Sequence, residues 1–195
     1  MIKKLLSILI LLFLVAESKA QQPLYVFPLP QGWGKENISL PIDFAPRIPI
    51  KGMEELRFTP GWGNSKTDEY WSYTFLWFID GVRTYKSDIL QSYLTQYFTG
   101  LYISNLKNKP KPPADFTQAQ IKKVSTQPFD QQTFEGTITT LDFLTGLPIS
   151  FYARIHIRNF TAIGHTAVLV EISPKEYQQP VWIELDDVAN GFKLN

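Results

Sequence analysis

The 195-residue chain contains no cysteine, which removes disulfides, thiolate nucleophiles and cysteine-based metal sites at once. It has two histidines, His156 and His165, and no His-x-His or His-Glu-x-x-His spacing, so a zinc centre would lack its third and fourth ligands. No metal and no cofactor are expected. A Gly-x-Ser-x-Gly elbow is also missing, and no Ser/His/Asp grouping can be read from chain order. Basic clusters are scarce: beyond Lys107, Lys109 and Lys111, which sit in a Pro-rich connector, nothing gathers the cations that phosphate recognition needs. Nucleic acid is therefore not an expected partner. No apolar run reaches the about 20 residues that span a bilayer, since the longest, residues 5–16, is ended by Glu17.

That short run is itself a signal. Lys3 and Lys4 precede it and Ser18-Lys19-Ala20 follows it, the pattern of a secretory signal peptide occupying residues 1–20 with the cut after Ala20. A lipid anchor would need a cysteine at the cut, and the chain has none. The very short charged region is of the bacterial kind, so the expected location is the periplasm or exterior of a bacterium, with no membrane span once the signal is removed. Processing takes away three lysines and one glutamate, carrying the formal charge from +1 to −1. Residues 21–195 are long enough for one domain with a substantial core, and an aromatic content of 14% supplies large side chains to fill it.

Prolines at 23, 28, 30, 41, 46, 49 and 60 exclude a long helix before residue 60 and predict a Pro-rich N-terminal segment, 21–60, wrapped over the domain in short extended pieces. Residues 24–29 and 56–59 are candidate edge strands within it. Residues 70–79 are β-branched and aromatic and stop at Asp80-Gly81, predicting a central strand. A helix is predicted from an N-cap at Ser87 to about Leu106. Apolar or aromatic residues at 89, 90, 93, 94, 97, 98, 101 and 102 give it one buried face, and Gly100 suits the close approach of a neighbouring backbone. From residue 115 on the period is two. Residues 133–143 and 149–158 flank Leu144-Thr-Gly-Leu147 as a hairpin, 166–173 form a third strand, and Val181-Trp-Ile183 reads as a short strand before one helical turn at 185–189. The predicted class is α+β: a curved antiparallel meander packed on one long helix, like a cystatin-like or nuclear-transport-factor-like cup. The alternative is an α/β/α sandwich of the photosystem-accessory type.

The stretch Phe58-Thr-Pro-Gly61, with Tyr70-Trp-Ser-Tyr-Thr-Phe-Leu-Trp-Phe-Ile-Asp80-Gly81, resembles a segment of uncharacterised exported bacterial proteins. The resemblance implies export and carries no activity with it.

Candidate site residues are few. Arg154, His156 and Arg158 alternate along one strand and so share a face. Two guanidinium forks beside an imidazole suit a carboxylate or phosphate, although a merely solvated sheet face would read the same way. Trp33 and Trp62, each beside glycine, would stack on a sugar or a partner if exposed and would pin loops if buried. The loop from Asn64 to Glu69 offers oxygen ligands without calcium-loop spacing. Adjacent acids at Glu54-Glu55 and Asp186-Asp187 do not establish a facing carboxylate pair. The function expected is a non-enzymatic binding or interaction module of the bacterial envelope, its partner a glycan, an apolar small molecule or an envelope protein. The alternative is an envelope hydrolase using a carboxylate or histidine.

Overall fold

The structure, a computed structural model, describes residues 23–106 and 111–195. The export signal read in residues 1–20 lies outside the described residues, as do Lys107 and Lys109. The centre of the molecule is a seven-stranded antiparallel sheet ordered β2-β3-β4-β8-β7-β6-β5. Its strands are β2 (Gly34–Leu40), β3 (Gly52–Phe58), β4 (Tyr73–Asp80), β5 (Gln118–Val124), β6 (Gln132–Leu141), β7 (Pro148–Phe160) and β8 (His165–Ser173). Two meanders, β2-β3-β4 and β5-β6-β7-β8, meet where β4 pairs with β8, with Phe75 opposite Val170. A two-stranded ribbon joins β1 (Tyr25–Val26) to β9 (Lys193–Leu194). The segment expected to wrap the domain thus supplies β1, β2 and β3, and β3 lies inside the sheet.

Helix α1 (Ser87–Ser104) covers one face and α2 (Val181–Asn190) the other. The predicted α+β class with an antiparallel sheet is what forms, but one helix does not describe it: α2 closes the face that a cup would leave open, giving helix–sheet–helix layering. The difference traces to Val181-Trp-Ile183. β-branched and aromatic residues suggested a strand there, yet the buried residues Val181, Trp182, Leu185, Val188 and Ala189 recur with helical spacing, and that periodicity prevails over local β propensity. Covering both faces also explains β4, where every residue from Tyr73 to Ile79 is buried.

Side-chain parity divides the core in two. Tyr73, Phe75, Trp77 and Ile79 of β4 point toward α1 and meet Leu90, Leu94, Tyr97 and Phe98. Leu76 and Phe78 point toward α2 and meet Trp182 and Leu185. The start of α1 lies one residue earlier than expected: Lys86 is the capping position, and its carbonyl accepts from the Leu90 N–H. Ser87 therefore caps nothing. Gly100 does permit a close approach, since a Cβ there would overlap the Phe44 carbonyl oxygen. No helix among the described residues is long and apolar enough to cross a membrane.

Candidate functional site

The Arg154, His156 and Arg158 face is neither solvated nor open to an anion, because α2 lies on it and acidic groups already fill the space. His156 donates from Nδ1 to Asp130 Oδ2 at 2.7 Å, and Arg158 Nε reaches Asp130 Oδ1 at 2.9 Å. Arg158 Nη1 also donates to the Ala189 carbonyl at 2.8 Å, where the exposed end carbonyls of α2 favour a cation. Arg154 bonds Glu135 at 3.0 Å and Asp186 of α2 at 2.5 Å, with its guanidinium against the rings of Tyr177 and Trp182. The three side chains are only 12%, 2% and 4% exposed. They clasp α2 to the sheet.

Burial opposes the charge on His156, but the Asp130 hydrogen bond and Glu171 outweigh it and push the imidazole up to about 9. Burial similarly opposes ionisation of Asp130, yet His156, Thr133 and Arg158 hold its carboxyl below the usual range. Glu171 is fully buried, and both its oxygens lie without a hydrogen bond, 3.5 Å from His156 Nε2 and from Arg154 Nη1. Ligand atoms of His156, Glu171 and Asp186 fall within 4.8 Å of one another, close enough for a metal. Arg154 already supplies the cation between the two acids, however, and a protonated imidazole offers no lone pair. A metal fits poorly.

The second site lies on the α1 side. A cavity of about 440 Å³ opens between the C-terminal half of α1, the edge strand β2 with its neighbour β3, and three loops. Helical spacing aligns Tyr97, Leu101 and Ser104 along one wall, and strand parity presents Ile38, Leu56 and Phe58 as its floor. The loop before β3 adds Phe44, held close by Gly100, with its ring 5.1 Å from that of Tyr97. The loop between β3 and β4 adds Trp62 and Trp71, and the β6–β7 turn adds Phe143.

These loops are firmly tied. The Thr59 hydroxyl shares its one hydrogen between the carbonyls of Ser72 and Glu69, the Trp62 N–H donates to the Thr59 carbonyl, and the Trp71 N–H donates to the Trp62 carbonyl. Trp71 adopts a φ of 54°, which a bulky residue keeps only when its surroundings impose it. Asp142 does so. It accepts from the Trp71 indole at 3.0 Å, the Tyr70 hydroxyl at 2.5 Å, the Thr145 hydroxyl at 2.6 Å and the Leu144 N–H at 2.8 Å. Burial would raise this carboxyl, but the four donors hold it below its ordinary range. Trp62 packs edge-on to Trp71 at 5.3 Å and against Phe58 at 4.9 Å. Its indole N–H is buried with no partner.

Beside this cavity lies Glu54, two residues before Leu56 on the same face of β3. It is wholly buried, and neither oxygen meets a donor in hydrogen-bonding geometry. Burial pushes its carboxyl up to about 7; Tyr97 and Trp77 only partly offset this, and the negative charge of Glu36 adds to it. Glu55 points the other way, accepting from Tyr25 and Arg57, so the adjacent acids are on opposite faces. The 64–69 loop is occupied by its own turn bonds: Asn64 Oδ1 accepts from Lys66 N–H, Glu69 from Gly61 N–H, and Asp68 pairs with Lys175.

Of the sequence candidates, then, the structure brings Arg154, His156 and Arg158 together as a clasp. Trp33 is 9% exposed and packed with Phe27 and Trp182 in the α2-side core, so it is a loop anchor and not a stacking platform. Trp62 lines a cavity. The rest of the aromatic wall has no signature as a cavity in the sequence, and Glu54, named there only as one of two adjacent acids, is an acid in phase with Leu56 and Phe58 on a half-apolar strand.

No protein-family model matches the chain, and no curated protein sequence does. Among solved structures it is similar to the crystal structure of the Saccharomyces cerevisiae Ran-binding protein Mog1p, with 12% identity over 83% of this chain and 96% of that chain and a TM-score of 0.34. At that level the likeness carries nothing about activity or partner, and the site speaks through its own residues.

Proposed function

We propose that the protein is a non-enzymatic binding module, exported to the bacterial envelope by the signal in residues 1–20, whose ligand sits in the aromatic cavity at the C-terminal end of α1. One observation carries this reading: tied loops and a strained Trp71 hold open a space of about 440 Å³ walled by aromatic rings, with the Trp62 indole N–H left without a partner. The volume falls in the usual range for small-molecule sites, about 300–1,000 Å³, where apolar walls supply affinity and a few polar groups supply orientation. A structural filler would be expected to close the space with side chains. The hydrolase alternative has less support, because His156 is buried in the clasp and Glu54 has no exposed surface.

The reading is tested by thermal unfolding of the purified protein against glycans, fatty acids, peptidoglycan fragments and aromatic amphiphiles, repeated with Trp62→Ala. A ligand at 100 times its dissociation constant stabilises by about 2.7 kcal/mol. The expected result is at least one chemical class that shifts the wild type and fails to shift Trp62→Ala. Hits that survive Trp62→Ala unchanged, or that are lost only when the α2 face is altered, would place binding elsewhere.

A further inference from the structure

Resting on the cavity as the ligand site, we infer that its ligand carries a positive charge on an apolar body: an ammonium group seated among the aromatic rings, with Glu36 and Asp43 at the mouth. The cavity wall includes two carboxylates and no Lys, Arg or His. Glu36 comes from β2 and Asp43 from the loop that follows it, and both are exposed, so they act as an entry field and not as a buried trap. Glu54, buried on the neighbouring β3 face behind the lining, is pushed toward its neutral form by burial and adds no full charge to this field; Glu36, Tyr73 and Tyr97 are the titratable groups that act on it there or are acted on by it.

Aromatic faces are negative, and a cation lying over several of them is attracted more strongly as water is excluded. Phe58, Trp62, Tyr73 and Tyr97 stand around the cavity at different tilts, Phe58 and Trp62 at 57° and Phe58 and Tyr73 at 31°. Such an arrangement surrounds a rounded alkylammonium better than a flat ring. A fatty acid or a phosphate would meet two carboxylates and no cation, so anionic ligands are disfavoured by the same wall.

The test holds shape constant and changes charge. Benzyltrimethylammonium, its neutral carbon counterpart neopentylbenzene and the anion phenylmethanesulfonate are titrated into the wild-type protein, following the Trp62 indole N–H resonance. The cation is expected to bind about tenfold or more tightly than the neutral probe, the size of a desolvated cation–aromatic interaction, and the sulfonate weakest. Glu36→Gln with Asp43→Asn should weaken the cation by about three- to tenfold and leave the neutral probe unchanged. Ser104→Lys, an exposed position on the wall, should do the same by repulsion. If neopentylbenzene binds as tightly as the cation, or the sulfonate binds best, the charge inference is overturned while the cavity stands. If none of the three moves the Trp62 resonance, the cavity reading fails with it.

Discussion

Glu54→Gln should make the protein more stable, and only at neutral and alkaline pH. The carboxyl is 0% exposed and has no hydrogen bond, and burial raises it from 4.5 to about 7. Below pH 4.5 the group is neutral in folded and unfolded chains alike and exerts no pH-dependent effect. Between pH 4.5 and 7 the unfolded chain ionises first, so stability falls as pH rises; above 7 the loss is complete. A shift of this size corresponds to about 3 kcal/mol. Glutamine keeps the shape and cannot ionise, so the variant should gain about 3 kcal/mol over wild type at pH 8 and close to nothing at pH 4.5. For a domain of this size that is roughly 6–12 °C in melting temperature. Urea unfolding of both proteins across pH 4.5 to 8.5 measures the difference directly, and other titrating groups cancel in it. A difference that is flat with pH, or a variant less stable at pH 8, would refute the argument that Glu54 is held neutral by burial. A carboxyl kept at this cost beside a cavity is the kind of group that function retains and stability alone would discard.

Asp130→Asn should cost about 3–5 kcal/mol, because it strands two buried cations, and it should lower the His156 titration from about 9, followed by imidazole NMR. With Asp130 intact, the raised His156 contributes stability that is full below about pH 6.5 and lost as pH rises through about 9, whereas the depressed Asp130 and Asp142 contribute stability that is lost as pH falls through their own lowered range. Asp142→Ala removes the acceptor of four hydrogen bonds and should cost about 3 kcal/mol or more, with the near-ultraviolet circular dichroism changing as Trp71 is released. Gly100→Ala should destabilise by about 1–3 kcal/mol, and by displacing Phe44 it should weaken any ligand of the cavity, read as a lost thermal shift.

How far the sequence discloses this molecule depends on whether local pattern and tertiary environment agree. They agree for α1, β4 and the β6–β7 hairpin, where period and turn residues point to one structure. They disagree at Val181-Trp-Ile183, where side-chain type said strand and spacing said helix. That one misreading propagated: without α2, the Arg154–His156–Arg158 face appeared solvated, although three cations in phase between apolar positions could equally be a covered ionic layer. Its partner Asp130 lies in the loop before β6, and Asp186 on α2, 26 and 32 residues from their closest bonded cations in no recognisable motif; only the pairing of β6 with β7 and the docking of α2 bring them together. The cavity was less legible still. Phe44, Phe58, Trp62, Trp71, Tyr97 and Phe143 come from five different segments, and nothing in an aromatic side chain distinguishes a wall from a filler until its neighbours are placed.

The central claim, that the aromatic cavity is where this protein binds, is tested most directly by its own five tryptophans. Trp62 and Trp71 line the cavity, Trp77 lies in the α1-side core, and Trp33 and Trp182 lie in the α2-side core. A two-dimensional ¹H–¹⁵N spectrum resolves their indole N–H groups and can be recorded with and without the strongest ligand from the thermal screen. The account predicts that Trp62 and Trp71 move while Trp33 and Trp182 stay in place. Movement of Trp33 and Trp182 with Trp62 and Trp71 unchanged would contradict it and transfer the binding site to the face beneath α2.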